Sequence, residues 1–376
     1  RNERDNTAQS VESHLMGVAA LTAEFARKLG LASQGELVGL LHDLGKYSAD
    51  FQSYFADVGV RDERREVDHS TAGAQFLWNE SSKNSRAAAA VAQLLAACIA
   101  SHHGGLIDCL TPEGDDNFTA RMHKKDESVH LKEVLTKADS HVLARARQIL
   151  SDSSTLRDLS QIFGSIARKE KCITEKDKET RIQLKTGLAL RMFYSCLIDA
   201  DRTDSADFDK PANTALRICD ANFSWNTLIE RVENHLKAFE CRLSIDQIRQ
   251  QISDECREAS QREKGLYTLS VPTGGGKTLA SLRFALHHAL KHGLDRIVYV
   301  VPFTTIIEQN ASETREILEP ANAFGSVVLE HHSNLLPEKE TARTRLLCEN
   351  WDAPIIYTTM VQLLESLFGG GTQSVR

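Results

Sequence analysis

A chain of 376 residues, 41% hydrophobic and 26% charged with only seven prolines, exceeds the usual size of one hydrophobic core; its composition excludes a fibrous or mainly disordered class and makes two domains the expectation. A net charge of −7 excludes a surface that is basic all over, while leaving room for a locally positive groove that holds a nucleic acid. Eight cysteines without a CxxC pair, no apolar signal core in RNERDNTAQS, and a longest apolar stretch (Ala87 to Ala100, broken by Gln93) shorter than the roughly 20 residues of a membrane span predict a cytosolic protein with no membrane partner.

From the start to about Glu240 the spacing is helical. Val11, Leu15, Val18, Leu21 and Phe25 share one helix face, Leu37 to Leu44, Ala87 to Ala100 and Leu184 to Ile198 read as further apolar helices, and no strand pattern competes. The stretch Thr111 to Thr180 is polar, with an amphipathic piece at His130 to Leu150, and its Lys124-Lys125 pair, Arg145 and Arg147 are expected on solvated faces. Ionisable residues sit in or at the ends of the apolar helices: His14 in VESHLMGVAA, His42-Asp43 in LLHDLGK, His69 in VDHSTAG, His102-His103 in IASHHGG, and Asp199 or Asp201 in CLIDADRTDS. A single histidine in such a place is usually hydrogen-bonded core. Histidines in four separate segments, with HD and HH doublets beside glycines, instead predict that the groups satisfy one another through two metals, because burying so many polar groups without partners is costly. A metal pair activates water and neutralises a phosphate in flight, and Asp43 is suited to bridge it. Imidazole-rich ligation favours Mn, Fe, Co or Ni over Mg. Lys46, about one turn past Asp43, is placed either to stabilise phosphate charge or to cap a helix C-terminus.

After about Cys241 the texture changes. A helix at Ile245 to Ala259 leads to LYTLSV, then a glycine turn and a helix ending near His292-Gly293, then the β-branched runs RIVYVVPF, SVVLEHHS and APIIYTTM. Strand, helix and strand in alternation predict a doubly wound parallel sheet, and so an α/β domain at 241–376 after a mainly α domain at 1–240. In VPTGGGKT the glycines Gly274, Gly275 and Gly276 and the neighbouring Thr273 let backbone N–H groups converge on phosphate oxygens. Lys277 reaches the β- and γ-phosphates of ATP, and Thr278 can ligate its Mg. Val271 stands where the general pattern has glycine, which matches the helicase variant of the motif. Pro302-Phe303-Thr304-Thr305, Gln309-Asn310, Thr358-Thr359 and Gln362 follow strands, at the sheet end where a nucleic-acid backbone can be held.

HDLGK, DHS, HHGG and an ADxxxS-like end resemble the HD phosphohydrolase superfamily. Followed by VPTGGGKT, VPFTTIIEQN, EHHSN and TTMVQLL, they resemble the CRISPR-associated nuclease-helicases of type I systems, an N-terminal HD nuclease joined to a superfamily 2 helicase. The resemblance covers essentially the whole chain. It implies a motor that uses ATP to draw one DNA strand toward a metal nuclease after recruitment by an RNA-guided surveillance complex. It also leaves room for an inhibitor protein. Carried over residue by residue, it implies His14, His42, Asp43, His69, His102, His103 and Asp201 as metal ligands, with Asp201 matching an Ala-Asp pair and Asp199 the alternative, and His42, Asp43 and Lys46 as the catalytic group. No DExH box and no second RecA-like domain lie between Gly276 and Arg376. The chain, which begins at Arg, is therefore expected to be part of a longer protein ending in the first RecA-like domain, and to bind ATP without turning it over. Two competing expectations are a phosphohydrolase of free nucleotides with the cradle as sensor, and a catalytically silent, nucleotide-gated docking module.

Overall fold

A computed structural model describes residues 2, 7–56, 67–82, 85–169, 174–211, 224–320, 325–332 and 351–368. They fall into two compact units, Arg1–Pro211 and Ala212–Arg376.

The regular elements described in the first unit are helical: α1 (Val11–Arg27), α2 (Ala32–Leu41), a 3-10 turn (Leu44–Tyr47), α3 (Ala49–Ala56), α4 (Thr71–Ser81), α5 (Arg86–Ser101), the short α6 (Asn117–Met122), α7 (Asp126–Val129) and α8 (Leu131–Lys137), then α9 (Ser140–Ser151), α10 (Ser153–Lys169) and α11 (Glu175–Asp209). The helix α1 begins where the Ser10 hydroxyl accepts from Ser13 N–H, and α5 where Ser85 accepts from Ala88 N–H, each satisfying one orphan donor of a first turn. Because α2 is apolar on all sides from Leu37 to Leu41, it becomes the central helix: Leu37, Val38, Leu40 and Leu41 are fully buried, and it packs on α1, α5, α9 and α11. Close approach to α1 depends on Gly39, where a Cβ would lie 2.5 Å from Ala19 Cα. Leu184 to Ile198 is one stretch of the long α11. The single amphipathic piece expected at His130 to Leu150 is two helices, α8 and α9. The break comes at Ala138, which turns extended (φ −63°, ψ 145°), and the next residue, Asp139, accepts the Tyr47 hydroxyl at 2.6 Å.

The second unit contains α12 (Trp225–Lys237), α13 (Ser244–Ala259), α14 (Lys277–His292), β1 (Ile297–Val300), α15 (Thr304–Leu318), β2 (Val328–His331), β3 (Ile355–Thr358) and α16 (Met360–Phe368). The sheet has the order β1-β3-β2 and is parallel throughout, with Ile297 and Val328 both opposite Ile355. Leu282, Leu286, Ile307, Val328, Ile355 and Tyr357 form its core, and the Tyr299 and Tyr357 rings stack with centroids 4.7 Å apart.

Two sequence expectations differ from this arrangement. LYTLSV is not a strand: Leu266 to Val271 pairs with none of the described strands and Leu266 is 96% exposed, so the run lacks the neighbouring backbone that a strand needs. The division between compact units falls after Pro211, earlier than residue 240, because α12 buries Leu228 and Val232 completely in the core of the second unit. Ser333 and Asn334 of EHHSN, with Cys172, Cys219 and Cys348, lie outside the described residues; Cys98, Cys109, Cys196, Cys241 and Cys256 are unbridged. No helix among the described residues is long and apolar enough to cross a membrane.

Candidate metal centre

The buried helix α2 ends at His42, and the chain leaves it through Asp43, which is completely buried. Four other segments converge on this point: α1 brings His14, the residues before α4 bring His69, the C-terminal end of α5 brings His102 and His103, and α11 brings Asp201. The His69 segment comes close because position 45 has no side chain: Gly45 N–H donates to His69 O at 3.1 Å, and a Cβ there would lie 2.3 Å from that oxygen.

These side chains form two groups whose ligand-type atoms lie within 4.8 Å of one another, His14/His42/Asp43/Asp201 and Asp43/His69/His102/His103. Asp43 belongs to both. Its Oδ2 lies 3.3 Å from the Nε2 atoms of both His14 and His42, while its Oδ1 lies 3.1 Å from His102 Nε2, 3.5 Å from His69 Nε2 and 3.8 Å from His103 Nε2. Asp201 Oδ1 closes the first group, 3.3 Å from His14 Nε2 and 3.6 Å from His42 Nε2. All seven residues expected as ligands therefore meet at one place, and Asp199 belongs to neither group.

The ring orientations are set from behind. Backbone carbonyls only accept, so His42 Nδ1–H donates to Gly39 O, His69 Nδ1–H to Val67 O and His102 Nδ1–H to Ile99 O, each at 2.8 Å. That leaves each Nε2 turned inward: His42 Nε2 faces His14 Nε2 at 3.3 Å, and His69 Nε2 faces His103 Nε2 at 2.5 Å. Lone pairs so opposed need a cation between them, or extra protons. Burial lowers the pKa of His14, but its hydrogen bonds to Asp201, Asp204 and Asp43 outweigh burial and raise it to about 10; His42, buried beside Asp43 and Asp201, rises to about 9. Burial outweighs the pull of Asp43 at His69 and His102, both of which are lowered and so favour the neutral form that ligates metal. Against its burial, Asp43 is held well below the usual carboxylate range by His42 and the surrounding imidazoles, as is Asp201 by His14 and His42. The donor set thus fits a pair of divalent cations: imidazole-rich, with one carboxylate oxygen turned toward each group.

Lys46 turns inward, its Nζ in contact with Asp43 Oδ2 and 5.9 Å from the centroid of the Phe51 ring. A cavity of about 620 Å³ opens onto His14 and Lys46 and is lined by Tyr47, Phe51, Phe55 and Phe208. Sequence reading missed Asp204, whose Oδ2 lies 2.7 Å from His14 Nδ1; the signal for it is the i, i+3 spacing from Asp201 on the same helix.

In the second unit Gly274 (φ +81°) and Gly276 (φ +78°) adopt the left-handed conformation that opens α14 with its first N–H groups toward the loop. Val271 fills the space over Gly275, where a Cβ would lie 2.3 Å from Val271 Cγ1, so the departure from the strict motif and the middle glycine are matched to each other. Lys277 Nζ donates to Val271 O at 2.9 Å, and Arg249 Nε, also missed in the sequence, donates to Gly274 O at 2.9 Å. Thr273 is exposed beside the glycines and Thr278 stands half-buried in the first turn of α14. Two of the hydroxyls at the strand ends are engaged within the fold: Thr358 is buried and donates to His331 O at 2.8 Å, while Thr359 Oγ1 accepts from Gln362 N–H at 3.1 Å and caps α16.

Residues 4–185 match the family described as Cas3, HD domain, and residues 227–367 the family described as type III restriction enzyme, res subunit. The CRISPR-associated nuclease/helicase Cas3 of Haloferax volcanii is 26% identical, the match covering 88% of this chain and 39% of that protein. The crystal structure of T. fusca Cas3-ADP superposes with a TM-score of 0.50 at 15% identity, covering 97% of this chain and 44% of the other; that of T. fusca Cas3-ATP gives 0.49 at 14% identity, covering 96% and 44%. The chain spans about two fifths of the length of these relatives.

Proposed function

We propose that the chain is of the Cas3 nuclease-helicase type, its first unit a metal-dependent phosphodiesterase cutting single-stranded DNA, and its second unit the nucleotide-binding part of an ATP-driven DNA translocase. The proteins would act in CRISPR interference, after an RNA-guided surveillance complex has opened the target. One observation carries this reading: a fully buried carboxylate, Asp43, turns each of its oxygens toward a separate group of inward-facing ligand atoms.

Two divalent cations held there would supply Lewis acidity and an activated water. The chain's own residues do the rest. The backbone carbonyls of Gly39, Val67 and Ile99 keep His42, His69 and His102 in the tautomer that points Nε2 at the centre. Lys46 is close enough to exchange Asp43 for a phosphate oxygen, where its charge would stabilise the transition state. The aromatic walls of the adjoining cavity offer faces to unstacked bases, which favours a flexible single strand over a duplex. In the second unit Lys277 would exchange Val271 O for the phosphates of ATP, Thr278 would ligate the accompanying Mg, and the glycine N–H groups would cradle the anion.

The test is to incubate the 376-residue protein with labelled single-stranded DNA, duplex DNA and free nucleotides, with Mn or Ni and with or without ATP. Cleavage of the single strand alone, independent of ATP, is expected. Hydrolysis of free nucleotides with DNA left intact would make this a nucleotide phosphohydrolase, and no hydrolysis of any substrate by metal-loaded protein would make it a docking module.

A further inference from the structure

We propose that Asp204 is the positioning carboxylate of His14, holding the proton on Nδ1 so that Nε2 presents its lone pair to the His42, Asp43 and Asp201 side of the centre, which then fills first; this rests on the reading of that group as a metal centre. Asp204 lies one turn beyond Asp201 on α11, so both carboxylates point the same way, toward α1. Its Oδ2 accepts from His14 Nδ1–H at 2.7 Å and from Gln9 Nε2–H at 2.8 Å. The surface of α1 is cut back to admit it. Gly17 stands one turn after His14, and a Cβ there would lie 2.0 Å from Asp204 Oδ1, so any larger residue displaces the carboxylate.

The arrangement sets His14 apart. His42, His69 and His102 are oriented by neutral backbone carbonyls, whereas His14 is backed by a charged side chain, which makes its inward nitrogen the stronger donor. The His14 group also holds two carboxylates, Asp43 and Asp201, against the shared Asp43 alone on the other side. His103, on that other side, is 53% exposed, while His14 and His42 are buried. Lys46 against Asp43 Oδ2 offsets one of those carboxylates, which leaves Asp201, donor strength and shielding from water to favour the first cation on the His14 side, with the more open side binding second and more weakly.

Titrating Mn(II) into the 376-residue protein in a calorimeter tests this. Two steps are expected in the wild type. Asp204→Ala should weaken the tighter step about 10- to 100-fold and leave the weaker one within about threefold. Asp204→Asn, which keeps the shape and an acceptor oxygen without the charge, should fall between, and Gly17→Ala should reproduce Asp204→Ala. A difference in the tighter step between Asp204→Asn and Asp204→Ala of equal unfolding midpoint is a readout that mere loosening of α11 would not give. The proposal is overturned if folded Asp204→Asn and Asp204→Ala bind the first cation within about twofold of wild type, or if the loss falls on the weaker step. A wild type that binds no cation overturns the metal-centre reading, and this proposal with it.

Discussion

At the scale of single residues, side chains the motif singles out are held in reserve by their neighbours. Lys277 donates to Val271 O and Lys46 lies against Asp43, so each has a partner it must exchange before meeting a phosphate. Lys277→Ala removes a charge-assisted hydrogen bond to the nucleotide, and ATP affinity measured by equilibrium titration should fall about 10- to 100-fold. DNA cleavage by the first unit should be unchanged; a parallel loss of both, in protein whose circular dichroism is intact, contradicts the independence of the two chemistries. The residues gathered round Asp43 were readable from sequence because few residue types have reason to sit charged or polar at the ends of apolar helices. Asp204 was not, since a carboxylate among DRTDS looks like a solvated helix face until Gly17 shows what lies against it. Arg249 escaped for the same reason: its partner is a backbone carbonyl 25 positions away, which no local pattern encodes.

At the scale of elements, packing decides where the site can form. The His69 segment is pinned to the turn after α2 by contact with Gly45, so Gly45→Ala must push that backbone away. A loss of about 1–3 kcal/mol in denaturant unfolding is expected, with weaker metal binding on the His69 side; an unchanged midpoint would show that the segment is not held there. In the second unit, Arg283 of α14, with only 7% of its side chain exposed, pairs with both oxygens of Glu233 on α12 (2.6 and 2.7 Å) and with Asp254 on α13 (2.8 Å). Burial raises Glu233, but Arg283 and His287 outweigh it and hold the group below its ordinary value of 4.5, so its contribution is present above that pH and is lost as pH falls through the folded-state value. Glu233→Gln should cost roughly 1–3 kcal/mol near neutral pH, and the gap to wild type should close below about pH 4.5. A gap that stays constant down to pH 3 rules the pairing out. The helix periods and the three paired β-branched runs were legible because each reports its own burial. LYTLSV was misread as a strand because pairing depends on a neighbouring backbone, which no local pattern contains.

For the whole molecule, the boundary between the two compact units is set by packing and not by composition: α12 reads like the helices before it, yet buries Leu228 and Val232 with the sheet that follows. The change of texture near Cys241 therefore comes one helix later than the start of the unit itself. Central to the proposed function is that Asp43 serves both groups of ligand atoms. The most direct test is the metal content of the 376-residue protein and of Asp43→Ala after equilibration with Mn(II) and desalting, with folding checked by circular dichroism. Two equivalents per chain in the wild type, and loss of both together with DNA cleavage in the variant, are expected of a shared ligand. A folded Asp43→Ala that retains two equivalents, or cuts single-stranded DNA at the wild-type rate, would contradict it.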